Sequence, residues 1–311
     1  MKYYIIIILA IVCVNTGYSQ QDPQFTQYMY NTQVINPGYV GSRDVMGLGL
    51  LYRTQWVGFD GAPKTGTFTF NTPVGELKRM GLGLSIVSDK IGPSAETNIT
   101  VDYSYSLILA NNARLAFGLK AGFDILDVDY SRLNIHDPLD SQFAENIDNK
   151  FQPQVGAGVF YYTDKMYVGL SVPNFLNAEH FKSGNDEDGE DDELIADRLH
   201  YFLIAGYVFN LSPSLKFKPA TMIKWVSGSP LQADISANFL FHDKFTLGAA
   251  YRWDAALSAM AGFQITDQLF AGIGYDFQTT DIQKYSDGSY EVFLRFEVFK
   301  PTERILTPRF F

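Results

Sequence analysis

The chain reads as a closed antiparallel transmembrane β-barrel of about fourteen strands, and three observations predict it. Apolar and polar residues alternate with a period of two in run after run. The composition is that of a sheet with one face on lipid, and the connections between runs alternate in length. Hydrophobic residues make up 46% of the 311, aromatics 15%, and mean hydropathy is −0.06. Beyond the first residues no apolar run reaches the roughly 20 residues a spanning helix needs. Strands that meet lipid at every second position give such an average.

The elements follow in order. Lys2, the apolar run Ile5–Val14 and the small residues Gly17 and Ser19 make a secretory signal peptide, residues 1–19. Cys13 lacks the preceding pattern of a lipid-attached cysteine, and removal of the leader leaves a chain without cysteine. Neither disulfides nor a thiolate zinc site are then available, so sheet closure or core packing must hold the fold. Net charge is −10, which disfavours nucleic acid as a partner.

Residues 20–44, with "QDPQFTQYMYNTQVINPGYVGSRD" from Gln21 to Asp44, alternate like neither helix nor strand. The barrel follows over 45–299. Its runs lie near Val45–Trp56, Lys64–Thr72, Met80–Ser88, Asn98–Leu109, Arg114–Asp127, Gln154–Thr163 and Met166–Val172. They continue near Leu199–Asn210, Leu215–Val226, Leu231–Leu240, Phe245–Asp254, Ala256–Ile265, Leu269–Gln278 and Ser289–Val298. In "NITVDYSYSL" Ile99, Val101, Tyr103, Tyr105 and Leu107 share one face, and Asn98, Thr100, Asp102, Ser104 and Ser106 the other. Residues 300–311 form a C-terminal tail.

Connection lengths check the count. Short turns follow the fourth, sixth, eighth, tenth and twelfth runs, at Asn111-Asn112, 163–165, 211–214, 242–244 and 266–268. Longer links, 89–96, 128–153, 173–198 and 279–288, follow the third, fifth, seventh and thirteenth. Bacterial barrels keep short turns in the periplasm and long loops outside, so both termini are expected in the periplasm.

The pairs Gly47/Gly49, Gly81/Gly83, Gly156/Gly158 and Gly272/Gly274 fall on the inward face, with Arg53, Lys120, Asp124, Lys216, Lys218, Asp234, Arg252 and Asp276. A nucleotide loop would need a following helix, which is missing here. Inward glycines instead leave lumen volume or admit a second backbone, and mixed charge favours a cross-braced, filled lumen. The segment before the first strand, with Phe25, Tyr28, Tyr30 and the turn Asn36-Pro37-Gly38 leading to Tyr39, therefore has two readings: a hatch in that lumen, or a periplasmic tail.

The chain resembles the PorP/SprF family of outer-membrane proteins of type IX secretion and gliding motility in Bacteroidetes. The resemblance is carried by the segment Gln21–Asp44, by "YRTQWVGFDGAPKTGTFTFNTPV" (Tyr52–Val74), by "LKFKPATMIKWVSGSPLQADISANFLFHDKFTLGAAYR" and by "GYDFQ" with "DGSYEVFLRFEV". It spans nearly the whole mature chain, departing at the acidic stretch Asn185–Glu193. It implies a non-enzymatic barrel that supports export or surface anchoring of a large cargo protein, often an adhesin, through the cargo's C-terminal sorting domain. It also implies, for some members, a peptidoglycan-binding OmpA-like periplasmic protein or lipoprotein as partner. The alternative is a FadL-like transporter of small apolar solutes with an N-terminal hatch.

The sequence offers little chemistry. His136, His180, His200 and His242 are scattered, without metal-ligand spacing, and His136, Asp137 and Asp140 read as a solvated loop. The acidic stretch lacks the spacing of a calcium loop. No catalytic group, metal or cofactor is expected. Gln55, Trp56, Phe59 and Asp60, in the first long-side connection, are candidates for cargo contact, although Trp56 also suits the aromatic belt of a barrel. Pro308, Arg309, Phe310 and Phe311 are candidates for docking on a periplasmic partner.

Overall fold

The computed structural model describes residues 24–133, 146–176, 199–226 and 229–298. Its strands are β1 (Met46–Thr54), β2 (Lys64–Val74), β3 (Met80–Ile91), β4 (Ser94–Ile108) and β5 (Arg114–Val128). Then come β6 (Ile147–Tyr162), β7 (Met166–Val172), β8 (His200–Tyr207), β9 (Phe209–Ser212) and β10 (Leu215–Val226). The last five are β11 (Gln232–Phe241), β12 (Phe245–Arg252), β13 (Ala256–Gln264), β14 (Leu269–Gln278) and β15 (Ser289–Val298).

All neighbours pair antiparallel, and β15 pairs with β1 from Met46↔Val298 to Thr54↔Tyr290, which closes the sheet. Closure leaves no edge strand, the condition for backbone to stand in lipid. β8 and β9 both pair with β10 and are two halves of one wall strand, interrupted at Val208. The wall therefore has fourteen strands, as the alternation predicts. Parity holds along it: Gly47, Gly49, Leu51 and Arg53 of β1 face inward, while Leu50 and Tyr52 are exposed on the outer face.

At one end, here called the turn end, the connections are tight. His242 and Asp243 take left-handed backbone angles, φ 51° and 52°, and the Lys244 amide donates to the Phe241 carbonyl, 3.0 Å. These are the angles of the mirror-image turn whose twist matches that of the flanking strands.

The opposite, loop end departs from the expected spans. β3 and β4 pair out to Ile91↔Ser94, so the predicted loop 89–96 shrinks to a hairpin around Gly92-Pro93. β6 begins at Ile147 rather than near Gln154. Above the apolar band both faces of a strand meet water, so pairing continues where alternation no longer reports it. Nor is every loop-end connection long: Trp253–Ala255 joins β12 to β13 in three residues, as few as join β11 to β12 at the other end.

Candidate functional site

Residues 24–44 lie inside the barrel and run from its loop end to its turn end. Gln24 exchanges two amide hydrogen bonds with Gln232 at the start of β11, 2.9 and 2.8 Å, and the Phe25 carbonyl accepts from Arg252 Nη2, 3.5 Å. Both partners stand at the loop end. One helical turn, Thr32–Ile35, crosses the middle, and a 3-10 turn, Pro37–Tyr39, follows. Arg43 pairs with Glu297 and Asp44 with Arg114, 2.9 Å, at the turn end, where β1 begins.

The local sequence explains this path. The Asn36 side chain accepts from the Gly38 amide, 2.8 Å, which caps the 3-10 turn, and Pro37 fixes φ at its first position. The Asn36 side-chain Nδ2 donates to the Val159 and Leu170 carbonyls, 3.1 and 3.4 Å, fastening the turn to β6 and β7. Phe25, Tyr28 and Met29 enter one apolar cluster with Phe160, Tyr167, Phe202, Phe270 and Phe293. Tyr30 stacks on Phe293 with centroids 4.9 Å apart, and Tyr39 meets Phe160 edge-on at 5.7 Å.

Two charged groups hold the segment to the wall. In the first, Arg53 of β1 binds Asp276 of β14 at 2.6 Å and Glu291 of β15 at 3.2 Å. Thr26 Oγ1 lies 2.6 Å from Asp276 and 2.6 Å from Arg53 Nη1, and the Thr26 and Gln27 amides donate to Glu291, 3.0 and 2.8 Å. In the second, Gln33 donates to Ser85 Oγ, 3.1 Å, and to Asp102 Oδ2, 3.3 Å, while its carbonyl accepts from Asn71, 3.2 Å. Lys120 stands 3.7 Å from Asp102 and donates to the Val34 carbonyl, 2.7 Å. Ions buried this deeply are tolerable only when paired and hydrogen-bonded, and the segment supplies part of that satisfaction.

Inward glycines make the room. A Cβ on Gly81 would strike the Val40 carbonyl, one on Gly118 the Pro37-Gly38 backbone, and one on Gly83 the Gln33 amide at 2.7 Å. Gly158 faces Asn36, and Gly272 faces Gln27. These positions admit a second chain close to the wall rather than leave open volume. Gly118 gave no signal in sequence because it is not one of a pair.

The sequence-derived candidates thus fall in three places. Phe25, Tyr28, Tyr30, Asn36, Pro37 and Tyr39 come together in the interior. Gln55, Trp56, Phe59 and Asp60 lie at the loop end, where the Trp56 amide donates to Ser289 Oγ, 3.1 Å, the Val57 amide donates to the Gly288 carbonyl, 2.9 Å, and the Val57 carbonyl accepts from the Asp287 amide, 2.7 Å. Phe59 is half exposed there, and Tyr285 of the facing link is strongly exposed. The tail candidates Pro308, Arg309, Phe310 and Phe311 lie outside the described residues. So do the leader, residues 20–23, His136, Asp137, Asp140, His180, the acidic stretch 185–193 and residue 299. Among the described residues no three His, Cys, Asp or Glu side chains are grouped to hold a metal. Sequence reading missed Thr26, Gln33 and Glu291, whose polar character is ordinary until the chain closes.

The fold and its filled interior define an outer-membrane β-barrel of fourteen antiparallel strands. The family model described as type IX secretion system membrane protein PorP/SprF matches residues 17–296, and the chain belongs to that family. No curated protein matches it. Among solved structures it is similar to the Acinetobacter baumannii outer membrane protein Omp33, 8% identical over 82% of this chain and 98% of that one, TM-score 0.49. It is similar to a Pseudomonas aeruginosa FadL homologue, 12% identical over 89% and 95%, TM-score 0.46. The CymD monoaromatic hydrocarbon channel is 12% identical over 91% and 96%, TM-score 0.50. At these identities the likeness concerns fold alone.

Proposed function

We propose that this barrel is a non-enzymatic component of the type IX secretion and gliding machinery that supports export and surface anchoring of a large cargo protein through the cargo's C-terminal sorting domain. Family membership supplies the system, and one observation carries the mechanism: residues 24–44 occupy the interior from mouth to mouth and satisfy its buried charges. A permanent hatch of that kind leaves the outer loop surface, not the lumen, to meet cargo, and Gln55, Trp56, Phe59 and Asp60 are the residues we assign to that contact.

Short turns at one end favour a periplasmic turn end. In this reading the chain after β15 enters the periplasm, and Pro308–Phe311 dock on an OmpA-like protein or lipoprotein of the cell envelope. Gln24, in contrast, stands at the loop-end mouth. The reading therefore places the amino end of the segment on the outer side, in place of the expectation that both ends share the periplasm.

The test locks the hatch. The Asn36 Cγ lies 2.9 Å from where a Cβ on Gly158 would stand, close enough for Asn36→Cys with Gly158→Cys to form a disulfide. Cargo display should survive oxidation of this pair. Loss of display with a folded barrel overturns the closed-lumen mechanism and favours passage through the interior, the FadL-like alternative.

A further inference from the structure

Between the turn-end half of the segment and the wall lies a cavity of about 20 Å³, bordered by Ser42 and Arg43 of the segment, Tyr167 of β7, Val208 at the strand break and Lys218 of β10. We propose that it is a binding site for one small monatomic anion of the halide class. The site is independent of the role assigned to the barrel.

Three features point to an acceptor-only guest. Arg43 and Lys218, on different elements, both border the space, and Lys218 stands 5.2 Å from the centroid of the Tyr167 ring. Ser42 and Tyr167 border it too, are 2% and 9% exposed, and their hydroxyls have no hydrogen-bond partner among the described residues. Each hydroxyl has one hydrogen bond to donate. Finally, Arg43 and Arg295 share the carboxylate of Glu297, so among the described residues this ion-pair group carries two cations to one carboxylate. Buried charge in excess calls for a counter-charge.

Size selects the species. The volume holds about one water-sized guest, which excludes phosphate, sulfate and organic carboxylates. A water would satisfy the hydroxyls and leave the charge excess in place, whereas a halide ion answers both. The aromatic and apolar surroundings, Phe160, Met29 and Val208, suit a weakly hydrated ion. The strand break has a role here, because Val208 is buried against the cavity although it interrupts the wall pairing.

Crystals of the full mature chain grown in bromide should show an anomalous peak in contact with Arg43 and Lys218. The thermal midpoint should rise with chloride or bromide, saturating with concentration, relative to gluconate at equal ionic strength. Ser42→Ala and Lys218→Met should each reduce that halide-dependent shift several-fold. A cavity peak without anomalous signal, or equal midpoints in halide and gluconate, overturns the proposal and assigns the space to water. If Lys218→Met does not fold, the bromide crystal of the unsubstituted chain and the Ser42→Ala titration decide.

Discussion

Arg53 on β1 and Asp276 on β14 meet at 2.6 Å although β15 stands between their strands. Each side chain is about 1% exposed. Glu291 on the intervening strand accepts from the same guanidinium, and Thr26 of the segment sits among all three.

Arg53→Met leaves Asp276 and Glu291 as uncompensated buried carboxylates. Removing one partner of such a group costs about 3–5 kcal/mol, so the variant should unfold at clearly lower denaturant or temperature in detergent, read by heat modifiability on gels. Arg53→Lys should recover little, because a point ammonium does not reproduce the planar fork. Stability equal to that of the parent chain for Arg53→Met would show that the network carries no weight.

Glycine replacements test the packing of the segment. Gly118→Val and Gly83→Leu should push it from the wall and raise single-channel conductance in planar bilayers, with an overpacking cost of about 1–3 kcal/mol where the segment stays in place. Gly66→Ala, with nothing within 4 Å of its Cβ, should leave conductance and stability unchanged. Conductance unchanged in all three would mean that the segment is not what closes the lumen.

Gln33→Leu removes the amide that bridges Asn71, Ser85 and Asp102. Buried groups left without partners cost about 1–3 kcal/mol. The loss should be local, so limited proteolysis of the segment should quicken severalfold while the barrel remains heat-modifiable. Equal cleavage rates in variant and parent would remove Gln33 from the fastening.

Orientation is open to thiol labelling, because Cys13 is the chain's one cysteine and lies in the segment expected to be the signal peptide. In intact cells an impermeant maleimide should modify Asp281→Cys at the loop end and Gln24→Cys, and spare Asp243→Cys at the turn end. Labelling of position 243 alone would invert the barrel. Labelling of 281 without 24 would keep the orientation and refute the outward amino end.

Removing Pro308–Phe311 should leave a folded barrel in the outer membrane and abolish surface display of cargo. Normal display by the truncated chain would dismiss the tail as a docking element, and failure to fold would assign it to barrel assembly.

The wall was legible because each strand states its own parity: Leu50 and Tyr52 outward, Gly49 and Arg53 inward, needs no partner to be read. The interior was legible in part. Paired inward glycines announced that something approaches closely, and mixed charge announced bracing, but Gln33 with Asp102, or Thr26 with Glu291, is a match between residues 69 and 265 positions apart. Nothing local in Thr26 distinguishes it from a loop threonine. The loop-end hairpins were misjudged for the opposite reason, since strands exposed on both faces, such as the start of β6, lose the alternation that identifies them.

The direction of the amino-terminal segment constrains how the molecule is born. Its loop-end contacts, Thr26 with Asp276 and Glu291, join the first part of the exported chain to the last, and the β1–β15 seam forms from residues equally remote. A chain without β15 has neither the seam nor the carboxylate that accepts from the Thr26 and Gln27 amides. The wall therefore cannot close until β15 is present, and only then does the segment gain its full set of acceptors. Contacts of such sequence separation form slowly, which makes closure a checkpoint: a barrel that shuts empty strands its own carboxylates and is the weaker molecule.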